Sequence, residues 1–96
     1  MDRKEILELI DEYNPDALTV DGLDGAIIGM GQQHGGPTLV IYDREKCIEL
    51  FAEQFKESED DLTWDDAYQD AIEWFEFNVE NSYVGENTPI FITIFK

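Results

Sequence analysis

The sequence is short of the residues that usually announce a chemistry. It has one cysteine, Cys47, one histidine, His34, and two serines, Ser58 and Ser82. A single cysteine excludes an intrachain disulfide framework and suits a reducing compartment. One Cys and one His cannot complete a four-ligand zinc site within the chain. Neither serine stands in a Gly-x-Ser-x-Gly elbow, so His34-Gly35-Gly36 has no nucleophile to serve as an esterase oxyanion loop would. No apolar run approaches the ~18–20 residues that cross a bilayer. The opening Met1-Asp2-Arg3-Lys4-Glu5 leads into an amphipathic pattern instead of an apolar signal core. The expected setting is cytoplasmic.

Bases are scarcer still. Six Lys and Arg face 23 Asp and Glu, for a net charge of −17. Residues 57–88 hold eleven of those acids and no base. Such a field repels phosphate backbones and anionic lipid, which excludes direct nucleic-acid and membrane-surface binding and leaves a basic protein partner open.

Apolar residues make up 43% and aromatics 12% of the 96 positions, enough for one core and one domain over 1–96. Asp2 and Glu5 form a capping box, and Ile6, Leu9, Ile10 and Tyr13 recur at helical spacing until Asn14-Pro15. This predicts a helix over 2–13. Asp21-Gly22 and Asp24-Gly25 are turn signals able to place a glycine at positive φ. Residues 26–30 and 38–42 read as strands of a hairpin, with the first apolar on both faces as a central strand would be. Asp43 caps a second helix with an apolar stripe of Cys47, Ile48, Phe51, Ala52 and Phe55. On that inner face Cys47 is a core thiol, not a reactive one. Thr63 opens a third helix whose stripe is Trp64, Ala67, Tyr68, Ala71, Trp74 or Phe75, and Val79. Ile90–Phe95 is a final strand, apolar on alternate and intervening positions alike, hence central or covered on both sides.

The expected fold is α+β in the order α-β-β-α-α-β. It has a small three-stranded, mainly antiparallel sheet with the final strand beside the 26–30 strand. The second and third helices pack on one face, and the first covers an edge or the other face.

The glycines after the first strand do not fit a nucleotide loop. Gly29-x-Gly31 lacks the third glycine at Rossmann spacing and runs into a strand, not a helix N-terminus; no Walker motif is present. Asp16, Asp21 and Asp24 miss the EF-hand register. No cofactor or metal is therefore expected. Two carboxylate groups stand out. Asp66, Asp70 and Glu73 fall at i, i+4 and i+7 on one helix face, with Asp60, Asp61 and Asp65 beside them, a run of like charges that destabilises a helix by a few tenths of a kcal/mol per pair. Its readings are a solvated face or a surface for a partner.

The second group lies among residues that carry a resemblance. Asp21-Gly22-x-Asp24-x-Ala26-Ile27-Ile28-Gly29, Tyr42-Asp43-x-x-Lys46-Cys47-Ile48, Glu73-x-Phe75-Glu76-Phe77-Asn78-Val79 and Tyr83-Val84-Gly85-Glu86-x-Thr88-Pro89-Ile90-Phe91 together resemble a family of small bacteriophage and prophage proteins with no established activity. The resemblance covers about two-thirds of the chain. It departs from that pattern at the acidic stretch around 56–62 and beyond Phe91. It implies a phage protein in a bacterial cytoplasm and no mechanism. Its shared polar residues Asp21, Asp24, Tyr42, Glu76, Asn78 and Glu86 are candidates for a pocket.

Three functional expectations follow. The first is a non-enzymatic protein that binds a basic partner through Asp60, Asp61, Asp65, Asp66, Asp70 and Glu73, inhibiting a host factor or mimicking nucleic acid. The second is a small enzyme or ligand-binding module built on the six-residue pocket. The third is acidity as saline adaptation alone. The apolar final strand also admits a homodimer, by edge or by face.

Overall fold

The computed structural model describes residues 1–95. Helix α1 spans Arg3–Tyr13, strand β1 Ile27–Gly31, β2 Leu39–Asp43, helix α2 Arg44–Ser58, α3 Trp64–Phe75 and β3 Ile90–Ile92. The α+β class and the element order match the sequence reading.

Each helix begins where a side chain caps it. The Asp2 carboxylate accepts from the Glu5 amide at 2.9 Å. Asp43 accepts from the amides of Glu45 and Lys46, and Thr63 from that of Asp66. These bonds satisfy amides that the first turn of a helix leaves without partners. Asp43 also ends β2, so strand passes into helix with no connecting residue.

The sheet order is β1-β2-β3. β1 and β2 form the expected antiparallel hairpin, with a bulge between Ile27 and Gly29. β3 corrects two expectations: it lies beside β2, not beside β1, and runs parallel to it, pairing Ile41 with Ile90 and Asp43 with Ile92. The reason is the path after α3. Helices α2 and α3 carry the chain down and back to the end of β2. The loop 81–89, able to reach about 30 Å at ~3.3 Å per residue, then returns it to the beginning of β2. Asn14 fixes that return. Its amide donates to the Thr38 carbonyl at 2.8 Å and to Asn87 Oδ1 at 2.9 Å, tying the end of α1 to the starts of β2 and β3.

β2 is therefore the central strand. β1 is an edge whose Ile28 is 49% exposed, because the bulge turns that residue out of the ladder. β3 is the other edge, and it stops at Ile92 because β2 has already turned into α2; Thr93, Ile94 and Phe95 are exposed.

The core lies between the sheet's inner face and the two long helices. Tyr42 and Val40 of β2, Cys47 and Ile48 of α2, Ala67, Ala71 and Phe75 of α3, and Leu23 and Ala26 of the connecting turn are fully buried. Ile10 joins α1 to this cluster. Alanines at 52, 67 and 71, all buried, let α2 and α3 approach closely. That leaves no volume for two indoles at the helix seam. Trp64, expected in the buried stripe, is instead 41% exposed and rests against Tyr68. Gly22 takes the positive φ expected of it, at 84°, whereas Gly25 sits in a short 3-10 turn over Asp24–Ala26.

Tyr42 joins the layers. Its ring stacks on Phe91 at 5.3 Å, and Phe91 meets Phe75 edge-on at 5.1 Å. The Tyr42 hydroxyl accepts from the Val20 amide at 2.8 Å. Burial, with the charges of Asp24, Cys47 and Asp21 adding to it, pushes the phenol up from 10 to about 12. Burial likewise pushes the Cys47 thiol up to about 12, so it stays protonated and unreactive near neutral pH, as a core thiol should.

Tyr42 and Cys47 both favour their neutral forms in the folded chain, so their contribution is complete below their unfolded values and is lost as pH climbs toward about 12. The urea midpoint should hold steady near neutrality and fall through the alkaline range. Tyr42→Phe strands the Val20 amide and should cost about 1–3 kcal/mol at neutral pH. It should also make the alkaline fall shallower, which chemical denaturation followed by circular dichroism across pH would show.

Candidate functional site

Asp70, Glu73, Trp74 and Phe77 succeed one another at spacings of three, one and three residues, so they lie along one face of α3 and its continuation. α2 runs alongside and contributes Phe55, Ser58 and Glu59. Together with Leu62 and Asn78 they line an open groove of about 500 Å³. Its floor is aromatic. Trp74 packs edge-on against Phe51 at 4.6 Å and against Phe55 at 6.3 Å, which holds the indole in place while leaving it 42% exposed. Phe77 stands on the lip, 83% exposed.

Phe77 is placed by a π-helical turn, Glu76–Glu80, that continues α3. Such turns are rare and concentrate at functional sites. Side chains close this one. The Asn81 amide donates to the Glu76 carbonyl at 2.7 Å, the Asn78 amide to the Trp74 carbonyl at 3.1 Å, and the Ser82 hydroxyl to the Asn78 carbonyl. Arg44, at the start of α2, clamps it from outside. Its Nε donates to Glu80 at 2.6 Å, its Nη2 to Glu76 at 3.1 Å, and the guanidinium lies 5.7 Å from the Phe75 ring centroid. The Glu80 hydrogen bond is the main reason the guanidinium holds its proton even more firmly than usual.

The carboxylates of the acidic stretch have no such partner. Glu59, Asp60, Asp61, Asp65, Asp66, Asp70 and Glu73 are all exposed. Among the described residues the ion pairs are Arg3–Asp24, Arg44–Glu76, Arg44–Glu80 and Lys46–Glu49, and none reaches this stretch. Lys56, the nearest base in sequence, turns its amine to the Leu62 carbonyl at 3.2 Å. Asp65 and Asp66 occupy the first turn of α3, where the helix dipole favours them. Of the six acids singled out from sequence, Asp70 and Glu73 line the groove; Asp60, Asp61, Asp65 and Asp66 lie toward the connector and the start of α3.

The other six candidates fall at different places in the fold. Tyr42 is in the core. Asp24 is ion-paired with Arg3, and Asp21 lies exposed in its turn, both close enough to Tyr42 for their charges to act on its phenol. Glu76 is held by Arg44 on the π turn, Asn78 lines the groove, and Glu86 is exposed in the 81–89 loop. They do not meet in one cleft. Among the described residues no group of His, Cys, Asp and Glu converges in a way that could hold a metal ion.

The groove's aromatic half is not legible in the sequence as a site. Periodicity puts Phe55 in the α2 stripe and either Trp74 or Phe75 in the α3 stripe, and gives Phe77 no site role. A signal was available, since Phe77 follows Asp70 and Glu73 at i+7 and i+4, on the face already marked as acidic.

Arg44→Met should release the π turn while keeping most of the packing on Phe75. The expected cost is about 1 kcal/mol, because the ion pairs are partly exposed. Amide hydrogen exchange should accelerate over 76–80 and stay unchanged in α1.

A scan of protein-family models, a search of curated proteins and a search of solved structures each find no match to this chain.

Proposed function

We propose that this chain is a protein-binding module that docks a basic, amphipathic segment of its partner in the α2–α3 groove. The supporting observation is the combination of an exposed aromatic floor and lip, Trp74 and Phe77, with carboxylates at Glu59, Asp70 and Glu73 that no base among the described residues pairs with. Aromatic anchors in a groove supply most of the binding energy of such contacts. The carboxylates add attraction for Lys and Arg, speed encounter and reject acidic competitors. A cation seated over Trp74 or Phe77 gains further from the ring face.

The resemblance to phage proteins makes a host protein the expected partner and its inhibition the expected outcome. Nucleic-acid mimicry is the form of this reading in which the docked segment belongs to a basic nucleic-acid site. The aromatic floor favours an amphipathic segment over a purely electrostatic contact, since a phosphate backbone offers no counterpart to Trp74.

The test is capture from bacterial lysate on immobilised chain, followed by affinity measurement for whatever is retained. Affinity should fall as salt rises. Phe77→Ala, at a site too exposed to affect folding, should weaken binding about tenfold or more. Asp66→Lys, Asp70→Lys and Glu73→Lys combined should abolish it. Binding indifferent to salt and to the charge reversals would sink the proposal. Binding that responds to salt but not to Phe77→Ala would leave mimicry alone standing.

A further inference from the structure

β3 is an edge of the sheet, and just before it the Leu18 amide donates to the Asn87 carbonyl at 3.3 Å. The order β1-β2-β3 leaves one side of Ile90–Ile92 without a neighbouring strand. The opposite edge, β1, carries a bulge between Ile27 and Gly29, one of the devices that turn an edge away from further pairing. β3 has no bulge in its register and no charged residue from Asn87 to Phe95. Past Ile92 the chain overhangs β2, whose last residue Asp43 is already the cap of α2. Among the described residues, the backbone of Thr93, Ile94 and Phe95 hydrogen-bonds to no other segment. Ile94 is 41% and Phe95 95% exposed.

We infer that this edge pairs with the same edge of a second copy, antiparallel, about a twofold axis through Thr93. Opposed residues of an antiparallel pair point to the same face, so an axis normal to the sheet must pass through a residue position. Centred on Thr93, the pairing sets Thr93 against Thr93, Ile92 against Ile94 on the outer face, and Phe91 against Phe95 on the inner face. Cross-strand pairs of this kind, aromatic pairs above all, are what stabilise a sheet. An axis through Ile92 would set Phe95 against Pro89, which has no amide to donate.

A second copy is the occupant because the segment is complementary to itself at each of these positions and brings no charge of its own. The net charge of −17 per chain opposes any self-association. Glu86 lies in the loop before β3, but Asp60, Asp61, Asp65 and Asp66 lie around the far end of α2. Its 15 residues place them about 22 Å of helix away from Asp43 and Ile92, more than two Debye lengths at physiological salt. Five residues from each copy, 91–95, fall well short of the 20–30 of a standard interface, so the dimer forms and dissociates with concentration.

Sedimentation equilibrium on the whole chain is the test. The average mass should rise from 11.1 kDa toward twice that value between micromolar and near-millimolar concentration. Higher salt should raise the dimer fraction by screening repulsion, the opposite of its effect on groove docking. Thr93→Pro removes the amide at the axis, and Phe95→Asp sets a charge against Phe91 of the other copy, in a pairing that otherwise carries none. Both residues are exposed, so both variants should keep the wild-type circular dichroism and remain monomeric at every concentration. Asp70→Lys with Glu73→Lys should leave self-association intact, so this inference and the groove proposal fail separately. A wild-type chain that stays monomeric throughout overturns it. So does a Thr93→Pro variant that dimerises like wild type, which would move the contact to the outer face of the sheet.

Discussion

The stack of Tyr42, Phe91 and Phe75 is the contact on which the rest of the structure depends. Tyr42 comes from the central strand, Phe91 from an edge strand that is far away in sequence, and Phe75 from the end of α3. Through its hydroxyl Tyr42 also holds the Val20 amide, and so positions the segment that leads to Leu23 and Ala26 beneath the sheet. A short sheet of three strands needs a packed hydrophobic face to be stable. Here β2 and β3 are secured because one aromatic pile fills the space between them and the helices, and β1 is held by its pairing with β2. The π turn begins directly after Phe75, so the same contact that closes the core also determines where Phe77 emerges.

Charge in this protein is arranged by what the bases are used for. Arg3, Arg44 and Lys46 are taken up by local carboxylates, and Arg44 in particular holds the turn that shapes the groove. Lys56 is turned to a backbone carbonyl. Among the described residues, the carboxylates along the connector and the outer face of α3 have no ion-pair partner, and they stand next to exposed aromatic rings. Repulsion along that face is tolerated because the opposite face of α3 is made of Ala67, Ala71 and Phe75, whose burial against α2 supplies the helix with its stability.

The two surfaces that stand out chemically are at different places in the fold. The groove combines aromatics with unpaired acid, and the β3 edge combines aliphatic and aromatic residues with none. Salt acts on them in opposite directions because attraction between unlike charges weakens on screening, while repulsion between like chains is relieved.

Local chemistry made much of this legible in the sequence. The capping residues Asp2, Asp43 and Thr63, the period of the α2 stripe and the hairpin around Gly31–Thr38 are short-range properties, and they set the α+β class, the element order and the helix boundaries. The concentration of acid in 57–88 was equally plain. What only the tertiary structure decided was non-local. Asn14, which reads as a helix stop, also holds Thr38 and Asn87 together, so β3 starts beside the start of β2 and not beside β1. Periodicity could not tell Trp74 from Phe75 as the core residue, because adjacent helix positions differ by only about 100° and the seam's width depends on the alanines opposite. The groove exists because that choice went to Phe75, which left the larger ring facing the solvent beside Asp70 and Glu73. Sequence determined the elements and the charge; pairing across long chain separations determined which faces of those elements are left for a partner.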